Sequence, residues 1–268
     1  MRTVSTPSGL VVYDYPPDPA SANGSDPPLV VAVHGSMDRG TSFARVRLAL
    51  ADLHFVTYDR RGYHRSRQAA FLGQDFDGHV LDLFEVLETV GAAEGSLVLL
   101  GHSFGGDIVL AAAEQKPASF TGIVAFEPPL TWRPWWPSAQ PGSWMDSPDP
   151  GDAAEAFIRR MIGDERFERL PLRTREDRRK EAPALLAELR SLRSKGLPGA
   201  EPPFRPDRIS VPVVIGRGSR TNAHQLRGTS ELAGEIPGAV LWEIPGAAHG
   251  AHLTHPRELA AMVRRVLR

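Results

Sequence analysis

Short, largely apolar runs punctuate the chain, and each stops abruptly at small or charged residues. Leu29–Val33 (LVVAV) ends at His34-Gly35, and His54–Tyr58 (HFVTY) ends at Asp59-Arg60-Arg61-Gly62. Leu97–Leu100 (LVLL) runs into Gly101-His102-Ser103, and Gly122–Phe126 (GIVAF) into Glu127-Pro128-Pro129. Runs this short, without polar alternation, read as strands buried on both faces. Helical spacing fills the intervals, in Phe43–Leu53, along the face of Val80, Leu83, Phe84 and Leu87, and in Ile108–Ala113. Strands alternating with helices imply parallel strands joined by right-handed crossovers, so the fold class is α/β with a mostly parallel central sheet flanked by helices. Residues 2–6 and 9–15 read as a hairpin around Pro7-Ser8-Gly9.

After residue 127 the rhythm breaks. Residues 128–151 are rich in proline and hold Trp132, Trp135, Trp136 and Trp144. Two amphipathic helical segments follow, about 152–169 and 175–195, with arginine-rich stretches at 159–160 and 173–179 that read as solvated faces. A proline-rich exit at 197–206 returns the chain to strands at Val211–Ile215 and Val240–Ile244, then to a helix from Pro256. This pattern divides the chain into a core, 1–127 and 207–268, and a helical cap inserted at 128–206.

Bulk composition narrows the function. Lys+Arg (31) and Asp+Glu (32) balance to a net charge of −1, which gives nucleic acid no basic surface to meet. The absence of cysteine excludes disulfides, thiolate nucleophiles and Cys-ligated metals. No apolar stretch is long enough for a membrane span, and MRTVSTPSGLVVYDYPP lacks an apolar targeting core, so a cytoplasmic protein, monomer or homodimer, is expected. G-x-G-x-x-G, the P-loop lysine and an H-x-x-x-H ligand pair are all missing, so neither a cofactor nor a metal is expected.

Gly101-His102-Ser103-Phe104-Gly105 carries the chemistry. A serine between glycines at a strand-to-helix turn is held on a tight, strained corner that lifts its hydroxyl above the strand ends. The helix behind offers free N–H groups and a positive dipole end to negative charge. With His34-Gly35, Asp59-x-Arg61-Gly62 and a late Pro245-Gly246-Ala247-Ala248-His249 in order around it, the chain resembles the α/β-hydrolase family over nearly its whole length. That resemblance implies an α/β-hydrolase fold with Ser103 as nucleophile. It also implies an oxyanion hole made by the backbone N–H groups of Phe104 and Ser36, with Met37 as the alternative to Ser36.

Nine histidines compete for the base. His102 sits on the corner beside the nucleophile and should point away from the pocket, His34 should support its loop, and His255 precedes Pro256 at the start of a helix. His249, directly after the last strand, is the candidate base. The resemblance places the acid after the penultimate strand, yet no Asp or Glu occurs from residue 208 to 230, and Ser219, Arg220 and Thr221 stand where it is expected. Glu127, at the end of the strand after the nucleophile helix, is the replacement candidate; certain haloalkane dehalogenases and lactonases of the zearalenone type similarly carry their acid there. Asp59 reads as a loop brace and Asp107 as buried support.

A serine nucleophile with these partners points to acyl transfer to water. An ester or lactone of a small-to-medium hydrophobic compound is the expected substrate, walled by Trp132, Trp135, Trp136 and Trp144. Arg133 or Arg45 is placed to meet a substrate carboxylate. A carbon–carbon bond hydrolase, a cyclase or lyase, and a non-catalytic ligand-binding protein are the competing readings; dehalogenase chemistry would need Asp at position 103.

Overall fold

The computed structural model describes residues 1–18, 27–69, 75–93, 95–137 and 147–267. Among these, eight strands form one sheet: β1 (Arg2–Ser5), β2 (Val11–Tyr15), β3 (Leu29–Val33), β4 (His54–Tyr58), β5 (Leu97–His102), β6 (Gly122–Phe126), β7 (Val213–Gly218) and β8 (Val240–Ile244). Their spatial order is β1-β2-β4-β3-β5-β6-β7-β8. From β4 to β8 neighbours are parallel, while the β1–β2 hairpin adds antiparallel through β2 to the edge of β4. Strands β3, β5 and β6 are buried along their whole length, as their unbroken apolar runs require. The chain steps outward from β3 to β4, then back across β3 to β5. At such a reversal the loops beyond the strand ends diverge and leave a crevice.

Alternate residues of each strand feed two cores. Val31, Leu99, Ile123 and Ile215 pack under α2 (Phe76–Thr89), α3 (Phe104–Gln115) and α8 (Ala223–Glu235). Val30, Val98, Val124 and Val214 pack on the other face, under α1 (Ala44–Ala49) and α10 (Pro256–Val266). At about 25 cal/mol per Å² of apolar surface, this two-sided burial is the main source of the sheet's stability.

Between β6 and β7 the chain forms α4 (Pro150–Ile162), α5 (Asp164–Glu168), α6 (Leu172–Lys180) and α7 (Ala182–Ser194). The two helical segments expected here are thus four. Gly163, at φ 83°, cannot continue a right-handed helix and ends α4. Pro183, in the first turn of α7, lacks the N–H that a continuous helix would need and starts a new one after Glu181. Likewise β7 begins at Val213 rather than Val211, because Pro212 has no N–H to give the ladder. Ala154, Ile158, Phe167 and Leu185 of these helices form a small third core with Met37 and Tyr63 from the loops above the sheet.

One ion pair pins this helical layer down. Arg60, in the loop after β4, donates from Nη1 to Glu188 Oε1 of α7 at 2.5 Å, and both side chains are fully buried. Arg60 Nε also donates to the His34 carbonyl at 2.8 Å, so the guanidinium joins α7 to the loop after β3.

Asp107, in the first turn of α3, is fully buried with neither carboxyl oxygen hydrogen-bonded. Burial pushes its carboxyl well above the usual aspartate range, so the folded protein holds this proton where the unfolded chain has lost it. Stability must then decline as pH rises above the ordinary aspartate range. Asp107→Asn removes that dependence. Its melting temperature relative to the native protein should rise between pH 5 and pH 8, and a pH-independent difference would contradict a protonated Asp107.

Candidate active site

Two sharp corners at neighbouring strand ends build the site. At the end of β5, Ser103 has φ 53° and ψ −127°, a conformation rarely adopted by residues with a side chain. The flanking glycines make it possible: a Cβ on Gly101 would lie 2.3 Å from the Gly105 carbonyl oxygen, and one on Gly105 would lie 2.1 Å from that of Val33. The Ser103 N–H donates to the Phe126 carbonyl at 2.9 Å, locking this corner to the end of β6.

That neighbouring end carries the second corner. Glu127 also has a positive φ, 48°, and its N–H donates to Gly216 O of β7 at 2.9 Å. Its side chain is fully buried yet fully engaged. Oε1 accepts from the Gly218 N–H at 2.8 Å, while Oε2 accepts from Thr221 Oγ1 at 2.9 Å and from His249 Nδ1 at 2.7 Å. Burying a carboxylate is costly unless such partners replace its water. The segment that lacks an acid therefore supplies donors to an acid from the next strand. Ser219 instead accepts the Gly246 N–H at 2.8 Å, bracing the turn that leads to His249. With Nδ1 committed to Glu127, Nε2 is the nitrogen that His249 has left for a reacting group.

His34, His102, His252 and His255 are engaged in other contacts. His34 is buried; its Nδ1–H donates to Gly35 O at 2.7 Å and its Nε2 accepts the Arg60 N–H at 2.9 Å. Burial, reinforced by the Arg60 charge, pushes its pKa down to about 3, so it is neutral. His102 donates from Nε2 to the His249 carbonyl at 2.8 Å and packs against His252, ring centroids 4.1 Å apart. Burial, with the neighbouring His252 and His249, holds its pKa well below the usual range. His252 in turn lies 3.2 Å from Asp38 Oδ2. Asp38, His102 and His252 present donor atoms within 4.8 Å of one another, a polar cluster directly behind the His249 loop. His255 bonds Thr254 Oγ1 at 2.9 Å ahead of α10, and Asp59 braces its loop by accepting from Tyr13 Oη at 2.7 Å and the Gly40 N–H at 2.9 Å.

A cavity between the sheet and the helical layer opens onto Ser103, Phe104, His249 and Ser36. Met37, the alternative to Ser36, packs into the third core and does not line it. Of the four tryptophans expected in the wall, Trp136 is there, edge-on to His224 at 4.8 Å. Trp132 is packed on Phe204 and Trp135 lies under Arg227, so both hold the layer to the core rather than line the cavity. Trp144 lies outside the described residues. Arg133 is paired with Glu235, and Arg45 donates to the Leu253 carbonyl at 3.1 Å; neither lines the cavity. Arg160 and Arg193 do, from its open edge, where both are exposed, as the solvated face expected for 159–160 implies for Arg160. Glu188 was missed in the sequence reading: beyond Arg60 it accepts from Ser36 Oγ at 2.6 Å, so α7 grips the loop that carries Ser36.

A sequence model described as the alpha/beta hydrolase family matches residues 30–262, and the chain belongs to that family. The chain is similar to Lipase LipV of Mycobacterium tuberculosis, 28% identical over 139 residues, or 52% of each chain. It is similar also to the monoglyceride lipase of Rattus norvegicus, 28% identical over 116 residues, 42% of this chain and 38% of that protein. It thus spans about half or less of the length of these curated relatives. Among solved structures, the enol-lactonase from Burkholderia xenovorans aligns over 99% of both chains with a TM-score of 0.73 and 17% identity. An N-acyl homoserine lactone degrading enzyme, Est816, aligns over 98% of this chain and 99% of its own with a TM-score of 0.70 and 18% identity. These two share the fold. Among the described residues no helix is long and apolar enough to cross a membrane.

Removing one member of a buried ion pair leaves the other charge stranded, at about 3–5 kcal/mol. Glu188→Ala should therefore lower unfolding stability by that order in chemical denaturation, whereas Glu231→Ala, which breaks an exposed pair with Arg227, should cost less than about 1 kcal/mol. Equal effects would show that the buried pair does not anchor α7.

Proposed function

We propose that this protein hydrolyses an ester or lactone of a small-to-medium, largely apolar compound through an acyl-enzyme on Ser103. The observation that carries the reading is the 2.7 Å contact between His249 Nδ1 and the buried Glu127 carboxylate, made beside a cavity that Ser103 and His249 both line. His249 Nε2 takes the Ser103 proton as Oγ attacks the carbonyl carbon. The Phe104 and Ser36 N–H groups receive the oxyanion, the imidazolium returns the proton to the departing alkoxide, and a water activated by the same nitrogen releases the acid. Glu127 holds the Nδ1–H tautomer and stabilises the imidazolium, a role its strained backbone and three hydrogen bonds suit. For a lactone the departing alkoxide stays attached, and the product is a hydroxy acid.

Residues 128–206 serve as a lid over this chemistry. Arg60–Glu188 and the Ser36–Glu188 hydrogen bond support that assignment, since through them the lid helix α7 sets the position of the loop beneath it. Trp136, Phe157 and Leu189 supply an apolar wall for the acyl or alkyl portion.

Two substitutions test the assignment on a chromogenic short-chain ester. Ser103→Ala should abolish turnover, and Glu127→Gln, which keeps the shape but not the charge, should lower kcat by on the order of 10^3- to 10^4-fold, as loss of a triad's orienting carboxylate does. Both proteins should retain a cooperative thermal transition. Turnover untouched by Ser103→Ala would refute the mechanism, and near-full kcat in Glu127→Gln would reduce Glu127 to a structural group.

A further inference from the structure

The cavity above Ser103 is apolar over much of its wall, but its charged residues are all of one kind. Arg160 of α4 and Arg193 of α7 line it, and no Asp or Glu does among the described residues. Among the described residues neither arginine has a carboxylate partner, although their neighbours do. Arg159, one position before Arg160, is bound to Glu155 at 2.8 Å, to Asp164 at 3.2 Å and to Glu168. Lys195, two positions after Arg193, pairs with Asp77 at 2.7 Å. Arg160 and Arg193 are both exposed at the open edge of the cavity, where no described carboxylate of the wall competes for them.

The cationic field reaches this wall: burial, then the charges of Arg160 and His249, lower the pKa of His224 and keep it neutral. A neutral His224 can donate or accept a hydrogen bond without adding charge of its own.

We propose that the substrate is a carboxylate-bearing ester or lactone, such as a half-ester of a dicarboxylic acid, whose free carboxylate is bound by Arg160 and Arg193 at the edge of the cavity. The planar guanidinium fork matches a carboxylate in two parallel hydrogen bonds, which a neutral acyl chain cannot exploit. An anion held at the lid also places the scissile carbonyl at a set distance from it, so the length of the acyl chain becomes part of the specificity. The inference rests on the proposed ester or lactone hydrolysis and adds to it the charge of the substrate.

The experiment compares the 4-nitrophenyl half-ester of glutaric acid with neutral 4-nitrophenyl pentanoate. The native protein should favour the anionic ester in kcat/KM by at least about tenfold, the scale of one or two charge-assisted hydrogen bonds. The double variant Arg160→Gln/Arg193→Gln should lose at least about tenfold of that preference, mostly through KM. Arg166→Gln removes one charge from α5, outside the cavity, and should leave the preference in place. Binding to Ser103→Ala provides a readout that needs no hydrolysis. By calorimetry, monomethyl glutarate should bind more tightly than dimethyl glutarate, and the difference should vanish when both arginines are replaced. A Ser103-dependent esterase with no preference for the charged ester, or with one that the arginine pair does not move, overturns this inference and leaves the hydrolase assignment standing. Should turnover not depend on Ser103, the hydrolase assignment fails instead, and equal binding of the two glutarates would then overturn the anion site on its own.

Discussion

The site depends on a carboxylate buried at the end of β6. Glu127 is fully enclosed, and a charge in that position is tolerable only because Gly218, Thr221 and His249 supply three hydrogen bonds from two other segments. Each donor is therefore positioned by the acid as much as it stabilises it. The loop after β7 is drawn in by Gly218 and Thr221, and the loop after β8 by His249. Positive φ at both Ser103 and Glu127 places the two strained residues on adjacent parallel strands, β5 and β6, whose ends are tied by the Ser103 N–H to Phe126 O bond at 2.9 Å. Strain of about 1–3 kcal/mol at each such position persists only where the surroundings over-determine it. Here two-sided burial of the strands does so.

A second buried charge pair organises the side of the cavity facing the helical layer. Arg60 and Glu188 are both fully buried, and through Ser36 Oγ the same glutamate reaches the loop beneath. Replacing such a pair by apolar residues often costs nothing, so the net stability of an ion pair does not explain its presence. Its geometry does: a fixed charge pair specifies one seating of α7, and with it the placement of Arg193 and Leu189 over the cavity.

Much of this was legible in the residues alone. Apolar runs ending at His34-Gly35, Ser103 and Glu127 specify parallel strands and the edge at which chemistry gathers, because a buried strand leaves its polar groups nowhere else to go. The missing acid between residues 208 and 230 pointed to Glu127, which the structure brings to His249. What the sequence hides is pairing across long separations. Arg60 and Glu188 lie 128 residues apart, and no local pattern links them. The tryptophans show a different limit: a large ring buries the same area whether it lines a cavity, as Trp136 does, or packs on a neighbouring ring, as Trp132 does on Phe204.

The central claim is that Glu127 is the hydrogen-bond partner of His249 in solution. Proton NMR at low temperature observes this directly, since an imidazole Nδ1–H bound to a carboxylate resonates far downfield of other exchangeable protons. The native protein and Ser103→Ala should both show such a resonance, and it should be absent in Glu127→Gln and in His249→Ala. A downfield resonance that survives Glu127→Gln and disappears on replacing a different acid would contradict the account.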